Sequence, residues 1–128
     1  MLSGVVKRRL AEAEGFLEEA EYLSSEKISN LHTLTKLYHA MIYSLFALFG
    51  LRDIEGLTHA DLIERFERDY VQKGVFDSTV LEAMRIAYDI THECDCAHMK
   101  QPEGRDIERL EPVVRGFVHE VRALLSGQ

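Results

Sequence analysis

The chain has 128 residues, 46% of them hydrophobic and 29% charged, with a net charge of −7. That length holds one domain around one core, expected to span 1–128, with nothing left for a second. The acidic balance excludes a broad basic face that grips nucleic acid by charge alone, while leaving room for a small local basic site.

No apolar run reaches the length of a membrane span. The N-terminal MLSGVVKRRLAEAEG puts its cations after its apolar residues, unlike a secretory signal. The expectation is a cytoplasmic chain with no membrane contact. Its two cysteines, Cys94 and Cys96, stand too close to bridge without strain and are read as thiols.

Apolar residues recur at alternating steps of three and four almost throughout, which keeps them on one face of a helix. Val6, Leu10, Ala13, Leu17 and Ala20 mark a first helix over about 3–26, which SSEKISN interrupts. Leu31, Leu34, Tyr38, Met41, Leu45 and Leu48 mark a second over 29–49, with Gly50 placed as its C-terminal glycine. This second helix is apolar nearly all round, which predicts either central burial or a face shared with a partner. Thr58 and Asp61 form a capping-box pattern that opens a third helix over 59–73, ending near Gly74. Asp77, Ser78 or Thr79 caps a fourth over 79–99, carried by Val80, Ala83, Ala87, Ile90, Cys94 and Ala97. Ile107, Leu110, Val114, Phe117, Val121 and Leu124 define a fifth over 105–125, where Pro112 either kinks the helix or marks its start. The predicted fold is all-α, an up-and-down bundle of about five helices.

The fourth helix ends in an unusual run, THECDCAH, with His92, Cys94, Cys96 and His98 at alternating positions. On a helix, residues two apart lie on nearly opposite sides, so His92 pairs with Cys96 and Cys94 with His98. Four ligands so divided cannot converge on one tetrahedral metal, and no metal is expected here. Cys94 continues the apolar seam and is expected to be buried, with Cys96 more exposed. The other face stacks Arg85, Asp89, His92 and Cys96, with Tyr88 beside them. That face reads in two ways. One is a solvent face held by an Arg85–Asp89 intrahelical ion pair. The other is a cleft-lining or interface stripe. His59 and His119 read as structural or solvated.

LYHAMIYSLFALFGL, then LTHADLIERFERDYVQKGVF and LEAMRIAYDI, together resemble the HEPN domain family over roughly 5–125. The matching features are Tyr38, Ala40, Met41 and Tyr43, the Thr58–His59 pair, Phe66, Tyr70, Val71 and Gly74, and the step from Arg85 to Asp89. The resemblance implies a helical bundle that forms a homodimer through its central helices. It also implies a nucleotidyltransferase partner, with this chain as the toxin of a toxin–antitoxin pair. Catalytic members of the family are similar in carrying an arginine and a histidine with four to six residues between them, acting as a metal-independent endoribonuclease. Arg85 and His92, with six residues between them, match that pattern at its upper limit, and Asp89 and Tyr88 would support them. Ile86 stands directly after the arginine, where catalytic members carry a polar residue. Cys94 stands where a tyrosine often follows the histidine.

The pairing has a chemical sense. RNA cleavage by its own 2′-hydroxyl needs a base for that proton and a cation for the charge gathering on phosphorus. Imidazole serves the first and a planar guanidinium the second. The alternative is a non-catalytic nucleotide-binding or protein-partner module of a nucleotidyltransferase. No glycine-rich phosphate loop is present. A nucleotide would therefore rely on side chains such as Arg85, Lys36, His39 and Tyr43. No cofactor is expected in either case.

Overall fold

The structure is a computed structural model that describes residues 3–92 and 102–127. Its helices are α1 (Gly4–Ser25), α2 (Asn30–Leu48), α3 (His59–Phe66), α4 (Ser78–His92) and α5 (Gly104–Leu125). A π-helical turn, Glu67–Val71, extends α3. No strand occurs among the described residues. Among the described residues every helix limit lies within a residue or two of expectation except the C-terminal end of α3, and the expected end of α4 lies outside the described residues. The run from 93 to 99, with Cys94, Cys96 and His98, lies outside the described residues.

Short polar side chains start the helices by accepting from backbone N–H groups that have no partner of their own. Ser3 caps α1, Ser29 caps α2 and Thr58 caps α3, taking the Asp61 N–H at 3.1 Å. Asp77 accepts from both the backbone and the hydroxyl of Thr79 at the start of α4, and these bonds hold its carboxyl below the usual range. Asp106 reaches back to the Glu103 N–H at 2.8 Å at the start of α5. That helix begins well before Pro112, which sits exposed inside it and does not mark its start. Gly50 ends α2 at φ 61°, with Gly50 and Leu51 donating to the carbonyls of Ala47 and Phe46. This is the paired closure that a left-handed residue permits, and glycine adopts it without steric cost.

Twelve of the 19 residues of α2 are buried, leaving one partly exposed stripe at His32, Lys36, His39 and Tyr43. Helices α1, α3, α4 and α5 all pack on it, so the all-round apolar character is explained by central burial within one chain. Leu34, Leu37, Met41, Ile42 and Leu45 meet Leu10, Met84, Val114 and Val118 in a fully enclosed core. Phe66, Phe76 and Phe117 close one end as an aromatic trio, ring centres 5.2–5.5 Å apart.

One buried cation ties the long α2–α3 connection down. Arg9 on α1 is 6% exposed, and its guanidinium donates to the carbonyls of Leu51 and Arg52 at 3.1 and 2.9 Å. Glu12 supplies the countercharge at 3.2 Å. The connection thus arrives at Thr58 in a fixed place, and α3 is delivered against α4.

Candidate functional site in the α3–α4 groove

Helices α3 and α4 enclose a groove of about 380 Å³. Ala60, Ile63, Glu64 and Glu67 form one wall, and Arg85, Tyr88 and Asp89 the other. The helices run antiparallel, since Glu67 meets Arg85 at one end while His59 meets His92 at the other. Three of the four expected site residues line this groove, and the fourth, His92, continues the same helical face one turn beyond Tyr88. The stripe therefore lines a cleft. Cys96, its expected last member, lies outside the described residues.

Arg85 does not pair within its helix. Its Nη2 donates to Glu67 Oε1 at 2.7 Å across the groove, while Asp89 stays exposed on the rim. The π turn begins at Glu67, and such turns are frequent at functional sites. Both partners of this pair are partly exposed, at 53% and 32% of their side-chain areas. Pairs of that kind contribute about 0–1 kcal/mol, so an incoming anion can displace the carboxylate at small cost.

The His92 ring stacks on Tyr88 with centres 4.1 Å apart and planes 15° from parallel. Its Nδ1 lies 3.0 Å from the Tyr88 carbonyl and 2.9 Å from the Thr91 hydroxyl. A carbonyl only accepts, and Thr91 spends its own hydrogen on the Ala87 carbonyl at 2.8 Å. Nδ1 therefore carries a hydrogen and donates it to the Tyr88 carbonyl.

Near the far end of the groove stands His59, half-buried in the first turn of α3, whose contact with His92 the sequence does not show. Tyr38 Oη lies 2.8 Å from its Nδ1. Tyr38 is 1% exposed and its hydroxyl has no other hydrogen-bond partner among the described residues. It therefore donates to this nitrogen rather than leave its hydrogen buried and unbonded. Burial, and then Tyr88 nearby, push its ionisation well above the ordinary value. Burial, with His92 and His39 close by, pushes His59 below the usual histidine value. A neutral His59 that accepts at Nδ1 holds its hydrogen on Nε2. The ring centres of His59 and His92 are 5.8 Å apart, edge to face, and Tyr38 lies 5.3 Å from His92. A phenol within an apolar helix needs a partner for its hydroxyl, and that requirement was the available signal.

His39 is held low by burial, then by Lys36 and His92. It packs against Phe16, as does Tyr43, while Lys36 bonds Glu19 at 2.8 Å. These three belong to the α1 side of α2, and none lines the groove with Arg85. Among the described residues no three histidine, cysteine or acidic side chains are grouped to hold a metal, and no helix is long and apolar enough to cross a membrane. No family model, curated protein or solved structure matches the chain.

Proposed function

We propose that this chain is a HEPN-type helical protein that cleaves RNA as a homodimer without a metal, as the toxin partner of a nucleotidyltransferase. Arg85 and His92 are its working residues. The observation that carries this reading is that Arg85 and Tyr88 line one groove and His92 continues their helical face one turn beyond it, stacked on Tyr88 with its Nδ1 tied to a carbonyl. His92 Nε2 takes the 2′-hydroxyl proton as O2′ attacks phosphorus. The P–O5′ bond breaks, and an imidazolium returns a proton to O5′. Arg85, released from Glu67, offers its fork to the non-bridging oxygens.

Seven residues of helix separate Arg85 and His92 by about 10 Å along the axis. A second copy related by a two-fold axis would bring the arginine of one chain toward the histidine of the other. Most of α2 is covered within one chain, and the α3–α4 face is the surface we propose for such pairing.

One observation favours the second reading, a non-catalytic nucleotide-binding or protein-partner module of the same nucleotidyltransferase. Three carboxylates line the groove against one guanidinium, a balance that suits a cationic partner better than a polyanion. Induced expression in a bacterial host separates the two. The ribonuclease reading expects growth arrest, relieved by His92→Ala at equal protein level. Arrest that persists in that variant, or no arrest at all, favours the module.

A further inference from the structure

We infer that His59 is a second substrate-contacting member of this site, fixed by Tyr38 as an Nε2–H donor for a phosphodiester oxygen. The inference rests on the reading of the groove as an RNA phosphodiester site. It concerns a residue outside the arginine–histidine pair.

The argument is one of complementary tautomers. Two imidazoles face each other at 5.8 Å, one from the first turn of α3 and one from the last described turn of α4. Their Nδ1 atoms have opposite partners. His92 meets a carbonyl, which forces a hydrogen onto Nδ1. His59 meets a phenol that donates, which forces the hydrogen to Nε2. The two rings thus use Nδ1 in opposite ways, His92 as donor and His59 as acceptor, which leaves His59 an N–H at Nε2. A neutral donor beside the ring proposed to move the proton matches the two ends of a phosphate and its 2′-hydroxyl.

A neutral donor suits His59 for two reasons. The cationic form is opposed by burial, by the neighbouring His92 and His39, and by the positive end of the α3 dipole. A neutral N–H that hydrogen-bonds an oxyanion needs no proton transfer of its own, so His59 returns unchanged after each turnover. Tyr38 from α2 and His92 from α4 pack against its ring, with His39 of α2 nearby. Tyr38 is thus a positioning residue, 1% exposed, acting on substrate only through His59.

The test has two arms on the full chain. Long-range proton–nitrogen correlation at mildly alkaline pH assigns each ring's tautomer directly. The expected spectrum shows His59 protonated on Nε2 and His92 on Nδ1, with Tyr38→Phe turning His59 alone into a mixture. His59 protonated on Nδ1 in the wild type, or a spectrum indifferent to Tyr38→Phe, overturns the inference.

The second arm measures binding of a 2′-O-methyl RNA oligonucleotide, which cannot be cleaved, by fluorescence anisotropy. His59→Phe keeps a ring and loses the donor, and should weaken binding about tenfold, as loss of one hydrogen bond to a charged group does. His59→Gln places an amide N–H near the position of Nε2 and should restore most of that loss, which a merely structural role would not require. Equal binding by wild type and His59→Phe, both folded by circular dichroism, overturns the donor role. Wild type that binds no oligonucleotide overturns the donor role and the ribonuclease reading together. Binding with the His59 effect intact but no cleavage of ordinary RNA overturns the ribonuclease reading alone.

Discussion

Replacing Glu67 by Gln should make the groove bind RNA more tightly while barely changing the fold. Arg85 is held by Glu67 at 2.7 Å, so any phosphate contacting the guanidinium must displace that carboxylate and then lie beside it. At a separation of about 5 Å, two such charges repel by about 0.8 kcal/mol in water and about 3 kcal/mol at an effective dielectric constant of 20. Both side chains are partly exposed and physiological salt screens them, so a value of about 0.5–1.5 kcal/mol is appropriate. Glu67→Gln removes this repulsion at nearly constant shape, and affinity for an RNA oligonucleotide should rise about two- to tenfold. Unfolding free energy should move by no more than about 1 kcal/mol, the scale of an exposed pair. Anisotropy titrations at two salt concentrations, with urea unfolding alongside, measure both quantities. Unchanged or weaker binding in Glu67→Gln would refute the claim that Arg85 receives phosphate.

The buried Arg9 clamp should matter to the fold. Its two charge-assisted bonds to Leu51 and Arg52 are each of a type worth about 1.5–3 kcal/mol, so Arg9→Ala should lower unfolding free energy by about 3 kcal/mol in urea, and a loss under 1 kcal/mol would contradict the clamp. Acid should also weaken the protein before its carboxylates titrate. His39 and His59 are both held below their unfolded value of 6.5, so in that window the unfolded chain binds more protons and stability rises with pH. Stability from this source is complete above about pH 6.5 and is lost as pH falls toward the folded values. Urea midpoints should therefore drop between pH 7.5 and 5.5, less so in His59→Gln, and a midpoint that holds or rises on acidification would contradict the assignment.

What could be read from the sequence was local. Helix positions follow from steps of three and four, and Gly50 and Thr58 announce their turns because each acts within a few residues of its place. Even so, Lys27 takes a left-handed φ of 51° after α1, where glycine would be expected. Interactions across the groove were not legible. Arg85 was matched with Asp89 because a helix offers partners four residues away, yet Glu67 reaches it from 18 residues back in the chain. The π turn that begins at Glu67 has no compositional mark of its own. His59 reads only as structural or solvated because nothing local singles it out, and its partner Tyr38 is 21 residues earlier on the buried helix. Arg85, Tyr88, Asp89 and His92 are legible as a stripe because they share one face of one helix. The other members of the candidate site come from a second helix and a third.

The central claim is that Arg85 and His92 cleave RNA, and the most direct measurement is single-stranded RNA cleavage in the presence of a chelator. Purified wild type, His92→Ala, Arg85→Ala and Arg85→Lys would be compared at matched fold stability. The account predicts cleavage by wild type with chelator present, and products ending in a 2′,3′-cyclic phosphate. His92→Ala should lose about 10²–10⁴-fold in rate, as removal of a general acid–base group does. Arg85→Lys should recover little of the loss in Arg85→Ala, because it keeps the charge without the fork. Equal cleavage by all four proteins, or none by any, would contradict the account.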